Sequence, residues 1–180
     1  MGKLVVTAFT TLDNVAEDPH LWSGHFFAVE GAGKYNDEVL QEADAMLLGR
    51  VTYEGFAAAW PSRSGDPFAD KFNAMPKHVV TTTLERADWN NTSIIRDDVA
   101  ENVRRLKENQ NVLVWGSPAL VRTLMEEGLV DEFVLLVSPI VRGAGKKYFP
   151  EADAQRDLRI VEARQLEGGM LGLRLAPAAA

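Results

Sequence analysis

Short apolar runs, separated by glycine, proline and acidic residues, divide this chain into alternating strands and helices. Residues 4–9 form an apolar, β-branched run and predict a buried strand. From 10 to 33 the polarity is mixed, and Asp13, Pro19, Gly24, Gly31 and Gly33 predict a long loop of the kind that covers a site. Val39, Leu40 and Ala43 share one face of a short helix over 37–44. A strand over 45–48 leads into a helix over 52–60 that stops at Pro61. Residues 62–76 are polar, with Gly65 and Pro67, and predict a surface excursion with room for a helical turn. Strands follow at 78–84 and 93–96. Asp97 or Asp98 then caps a helix in which Val99, Val103 and Leu106 recur at helical spacing. After a strand at 112–115, Ser117, Pro118 and Gly128 supply the cap, first-turn and stop signals of another helix.

Beyond Asp131 the pattern changes. Residues 132–141, 158–165 and 170–175 read as strands with little helix between them, the last two joined through Gly168-Gly169. The expected class is therefore α/β: a mainly parallel central sheet with helices on both faces, finished by antiparallel edge strands. No repeat or linker divides the chain, so residues 1–175 are expected to form one domain, with 176–180 as a tail.

Composition narrows the function. With 180 residues, 46% hydrophobic and 25% charged, the chain has ordinary globular proportions and enough length for a real core. A net charge of −7 without a long basic run argues against a phosphate-tracking nucleic-acid surface. The lack of cysteine excludes disulfides, thiolate metal sites and cysteine nucleophiles, and suits a cytoplasmic protein. No apolar run reaches membrane-spanning length, and the first residues lead into a strand rather than a signal segment. His20 and His25 lie near Asp18, but their spacing matches no common zinc signature, so no metal is expected. Gly143-Ala144-Gly145-Lys146 lacks phosphate-loop spacing and predicts a turn.

One motif occurs twice: an apolar run, a glycine, then a helix start. The copies are Ala45-Met46-Leu47-Leu48-Gly49-Arg50-Val51-Thr52 and Val112-Leu113-Val114-Trp115-Gly116-Ser117-Pro118. A helix entered this way leaves its first N–H groups unpaired, which suits an anion. Arg50 adds a permanent charge with forked donors, and Thr52 a hydroxyl. The pair suits the two ends of a dinucleotide; the alternative is two ordinary strand-to-helix turns.

The order of elements, together with Leu47-Leu48-Gly49-Arg50-Val51-Thr52-Tyr53-Glu54, resembles dihydrofolate reductase. Trp115-Gly116-Ser117, Leu120-Val121, Glu127-Gly128-Leu129-Val130-Asp131-Glu132 and Pro139-Ile140-Val141-Arg142-Gly143-Ala144-Gly145-Lys146 are closer to the reductase domain of bacterial riboflavin biosynthesis, the RibD C-terminal domain. Phe68-Ala69-Asp70-Lys71-Phe72-Asn73, Met75-Pro76-Lys77 and Asp88-Trp89-Asn90-Asn91-Thr92 resemble the stand-alone branch of that superfamily.

The resemblance implies a three-layer fold around an eight-stranded sheet, NADPH as hydride donor, and a pterin-like or 5-amino-6-(5-phosphoribosylamino)uracil-like acceptor. It also implies a homodimer. In its terms Gly49, Arg50 and Thr52 meet the adenosine-side phosphates, and Arg50 favours NADPH over NADH. Thr81, Thr82 and Thr83 edge the adenine and ribose pocket. Gly116, Ser117 and the helix start through Leu120 take the pyrophosphate.

The long loop is expected as a lid, with Leu21, Trp22, Phe26 and Phe27 available to close on substrate and Trp22 the member nearest the chemistry. Phe26 and Phe27 read better as core. Dihydrofolate reductases keep their pocket carboxylate on the helix before the Gly-Arg strand. Here Glu30 and Asp13 are the candidate proton donors, Asp13 within a Thr11-Leu12-Asp13-Asn14 run similar to the Ser-x-Asp-Gly of riboflavin reductases. Rival expectations are a binding protein that kept the pocket without the chemistry, and a module that holds FMN.

Overall fold

Alternation along the central strands decides what lies on each face of the sheet. A computed structural model describes residues 1–26, 30–149 and 155–178. Its strands are β1 (Leu4–Thr11), β2 (Ala45–Gly49), β3 (Lys77–Val80), β4 (Thr92–Ile95), β5 (Val112–Trp115), β6 (Glu132–Ser138), β7 (Leu158–Gln165) and β8 (Leu171–Pro177). They form one sheet in the order β4-β3-β2-β5-β1-β6-β8-β7. Pairing is parallel from β4 through β6, while β8 runs antiparallel to both β6 and β7. The expected division into a parallel part and an antiparallel edge is thus what the chain adopts.

Among the described residues five α-helices pack on this sheet: α1 (Glu30–Gln41), α2 (Arg50–Ala59), α3 (Pro67–Ala74), α4 (Val99–Lys107) and α5 (Pro118–Glu126). Met46, Leu48, Leu113, Trp115, Val134 and Leu136 point to one face, against Tyr35, Val39 and Leu40 of α1, Tyr53 of α2 and Phe72 of α3. Leu4, Val6, Leu47, Val112, Val114, Phe133 and Leu135 point to the other, against Val103 of α4 and Leu120, Val121 and Leu124 of α5. Neighbouring residues of one strand thus enter opposite cores, as a sheet covered on both faces requires. Each fully buried aliphatic or aromatic side chain contributes about 1.5–3 kcal/mol.

Several boundaries move, each for a visible reason. The helix expected from residue 37 begins at Glu30. Gly31 is not a breaker there: a Cβ on it would lie 2.6 Å from the Glu167 backbone nitrogen, so glycine lets α1 pass close to the β7–β8 turn. The polar excursion at 62–76 contains α3, whose N-cap Asp66 accepts from the Phe68 and Ala69 N–H groups. Strand β3 ends at Val80 because the Thr81 hydroxyl accepts from the Thr83 and Leu84 N–H groups and turns the chain. At the far end, Leu158 pairs with Pro177 and Arg159 with Ala176, so strand continues into the expected tail. Ala179 and Ala180 lie outside the described residues.

The segments quoted for the stand-alone resemblance have a structural use. Lys77 is fully buried, and its Nζ donates to the carbonyls of Asn73, Met75 and Asn90 at 2.7–3.0 Å. The Trp89 indole donates to Asn73 Oδ1, and Asn91 donates to the Ala74 carbonyl. Together they fasten the end of α3 to the entries of β3 and β4.

Candidate active site

Strands β2 and β5 are neighbours, so the two glycine junctions at their carboxyl ends meet. The Ser117 hydroxyl links them: its Oγ accepts from the Gly49 N–H at 2.9 Å and lies 2.8 Å from Thr52 Oγ1. Gly116 and Ser117 both take left-handed backbone angles, with φ of 59° and 53°. That pair of angles carries Ser117 away from α5 and towards β2. The expected cap at Ser117 is thereby corrected: it occupies the N-cap position, but its side chain bonds no N–H of α5. The starts of both α2 and α5 lack a side-chain cap, whereas Asp66 closes the start of α3. Uncapped N–H groups at two adjoining helix starts form a polar cradle that fits a dinucleotide's phosphates.

Beside the cradle lies a cleft of about 940 Å³. Phe9 of β1 and Trp115 of β5 line it from the sheet, Phe56 and Trp60 from α2, and Phe68 and Phe72 from α3. Phe72 and Trp115 meet edge to face at 5.3 Å, and Trp60 lies 4.5 Å from Phe72. The rings give the cleft apolar walls suited to a flat ligand. Gly33, Asn36 and Asp37, at positions i, i+3 and i+4, supply the α1 side.

A family model for the RibD C-terminal domain matches residues 2–171 of the chain. This protein belongs to the RibD C-terminal domain family. It is 30% identical over 141 residues to YyaP, an uncharacterised protein of Bacillus subtilis (strain 168), covering 74% of each chain. A protein from Shewanella sp. PV-4 whose name refers to riboflavin biosynthesis has a solved structure of the same fold, with TM-score 0.77 and 16% identity over 98% of this chain and 99% of its own. The deaminase/5-amino-6-(5-phosphoribosylamino)uracil reductase of Thermotoga maritima has TM-score 0.65 and 16% identity, over 98% of this chain and 57% of its own.

Within this RibD-type fold the remaining candidates separate. Thr81 is buried and its hydroxyl holds the turn after β3, leaving Thr82 and Thr83 exposed at the strand's carboxyl end. Arg50 is half-exposed and makes an ion pair with Glu54 at 2.9 Å on α2. Leu120 is 8% exposed and belongs to the same core as Val114 and Leu47, which seats α5.

Asp13, one of the two candidate proton donors, sits where the loops after β1 and β6 meet. Its carboxylate accepts from the Thr11 hydroxyl at 2.6 Å and from the Gly143 and Arg142 N–H groups. These donors hold its pKa down at about 2. In the structure Asp13 pins the loop after β1 to the loop after β6, helped by Asn14, which exchanges hydrogen bonds with Phe149 through its side-chain amide. Trp22 is buried, and its indole N–H donates to the Glu17 carbonyl at 2.9 Å within its own loop. Phe26 joins the core, as its apolar character predicts. Glu30 opens α1, but its side chain and all of Phe27 lie outside the described residues. Among the described residues, no group of three His, Asp or Glu is placed to hold a metal ion, and no helix is long and apolar enough to cross a membrane.

Sequence reasoning missed the polar lining of the cleft, Lys34, Asn36, Asp37, Arg63 and Asp66. With α1 extended back through Gly33, the i, i+3, i+4 spacing would have placed Asn36 and Asp37 on one face.

Proposed function

We propose that this chain is an NADPH-dependent reductase that passes a hydride to a small heterocyclic acceptor of the pterin or phosphoribosylamino-uracil kind. The observation that carries the reading is the junction of two uncapped helix starts through Ser117, directly beside an aromatic-walled cleft. Ligands collect at strand carboxyl ends in open α/β sheets, and here both features lie there. NADPH supplies the hydride when bound. The backbone at Gly49 and Gly116, with Thr52 and Ser117, holds its phosphates; Arg50 leaves Glu54 to meet a further phosphate; Thr81, Thr82 and Thr83 border the adenine side. The aromatic walls exclude water and align the acceptor ring.

The proton step is assigned to Asp37. Two described carboxylates line the cleft, and Asp66 is committed to capping α3. Among the described residues Asp37 accepts from the exposed Gln41 side chain alone, through one oxygen, and it lines the cleft. The reading takes the protein to work in the cytoplasm, where reduced nicotinamide is at hand and where a chain without cysteine is at home. A homodimer would cover the outer strand β7, where Ile160 and Val161 are exposed; a monomeric mass at micromolar concentration would contradict that.

The test is loss of reduced-nicotinamide absorbance when pyrimidine- or pterin-type acceptors are added to protein and NADPH. Acceptor-dependent oxidation is expected. NADPH binding without oxidation across such a panel would turn the reading to a non-catalytic pocket, and preferred binding of FMN would turn it to a flavin module.

A further inference from the structure

Arg50 is the first residue of α2, where a permanent cation faces the positive end of the helix dipole. Glu54, one turn on, offsets this: Arg50 Nη1 donates to both of its carboxylate oxygens, at 2.9 and 3.1 Å. Both side chains are half-exposed, and among the described residues neither has another hydrogen-bond or ion-pair partner. Thr52, between them in sequence, turns inward instead, its hydroxyl 2.8 Å from Ser117 Oγ. A base placed N-terminal to the acid is the weaker order on a helix, so the pair adds little to the fold. What it does govern is the charge that Arg50 offers to a ligand.

A phosphate monoester carries a charge of about −1.5 to −2 at pH 7 and three strong acceptor oxygens. To meet one, Arg50 gives up its hold on Glu54 or shares it. In either case an ionised carboxylate is left close to the phosphate, and the two repel. The lost pair and the repulsion both oppose a cofactor that carries the phosphate, and neither bears on one that lacks it. We infer that Glu54 is a positioning residue for the cofactor. Acting through Arg50, it competes with the phosphate on the adenosine ribose and sets how far NADPH is preferred over NADH. The preference is thereby held below what Arg50 alone would give. This inference rests on Arg50 meeting that phosphate, as the reductase reading has it.

Glu54→Gln keeps the shape of the side chain and removes its charge at an exposed site, so the fold should tolerate it. A thermal melt checks that, and Glu54→Ala serves should the first variant fail to fold. Calorimetric titration of the full chain should show NADPH bound about three- to tenfold more tightly than by wild type, with NADH changed by less than about twofold. Damage to α2 would weaken both cofactors, so a selective gain reports the competition itself. The gain should shrink as salt is raised, because the pair is exposed. In an Arg50→Ala background the same substitution should shift NADPH by less than about twofold. NADPH affinity that Glu54→Gln leaves unchanged or lowers, or a gain that survives intact without Arg50, would overturn the role of Glu54. Arg50→Ala alone separates the two claims. Selective loss of NADPH there, with no gain in Glu54→Gln, removes Glu54 only; equal losses of NADPH and NADH, or no nicotinamide binding by the wild type, remove the reading on which it rests.

Discussion

At the amino ends of the strands a hollow of about 340 Å³ is bordered by Lys3, Glu42, Asn111 and Glu132, and each of these side chains is tied. Arg174 binds Glu42 and Glu132 at 2.8 Å, Lys3 reaches Glu132, and Asn111 donates to the Glu42 carbonyl. At the carboxyl ends the larger cleft is lined by Asn36, whose buried amide oxygen has no partner among the described residues, and two helix starts beside it lack side-chain caps. The same sheet thus spends its polar groups on holding itself together at one end and keeps them available at the other. Substitutions at the amino end should therefore change stability, and those at the carboxyl end should change binding and turnover.

The largest effect is expected at Asp37. Asp37→Asn should lower kcat by about a hundredfold or more, the usual worth of a general acid, with little change in NADPH affinity. A normal kcat would return the proton step to Glu30 or to solvent. At the bracing end, Lys77→Met keeps volume but leaves three carbonyls without their donor, and should destabilise the fold by about 2–4 kcal/mol in urea unfolding. A loss under about 0.5 kcal/mol, typical of a surface site, would refute the bracing role.

Burial also pushes the Lys77 ammonium down to about 8 from 10.5. Between those values the unfolded chain holds this proton more tightly than the folded one, so the residue's contribution to stability rises with pH across that window. The difference in stability between wild type and Lys77→Met should widen accordingly.

Ser117→Ala should weaken NADPH by about tenfold while costing no more than about 1–2 kcal/mol of stability, because the hydroxyl's partners lie at the rim. Asp13→Asn should leave kcat within about tenfold of wild type, since a residue held ionised donates no proton. The stability Asp13 provides is present above its ordinary value of 3.8 and is lost as pH falls towards 2, so acid unfolding of the variant should be flatter over that range. The smallest effect is that of Arg50→Ala on the fold. Its half-exposed pair with Glu54 is worth about 0–1 kcal/mol, yet NADPH should weaken more than NADH. Equal losses for the two would end the argument that Arg50 reads the extra phosphate.

What could be read along the chain was whatever local periodicity encodes. The β2 and β5 runs, Gly49 and Gly116 placed both junctions, and the glycine turn after Leu166 placed the antiparallel edge. The cradle itself could not be read, because it depends on β2 lying beside β5 and on Ser117 turning away from the helix it precedes. Asn36 was hidden for a related reason. Gly31 and Gly33 look like loop residues until the closeness of Glu167 explains one of them, and only a helix running through both puts Asn36 on the cleft face. Asp13 shows the converse. Its run of residues suggested an acid near the chemistry, and only the Gly143 and Arg142 N–H groups, brought in from beyond β6, reveal it as an anchor.

The most direct test of the account is calorimetric titration of wild-type protein and Ser117→Ala with NADPH, NADH and FMN in parallel. One NADPH per chain, bound more tightly than NADH and weakened by about tenfold in Ser117→Ala, is the predicted result. No nicotinamide binding by the wild type, or NADPH binding that Ser117→Ala leaves untouched, would contradict the claim that the two joined helix starts hold the cofactor.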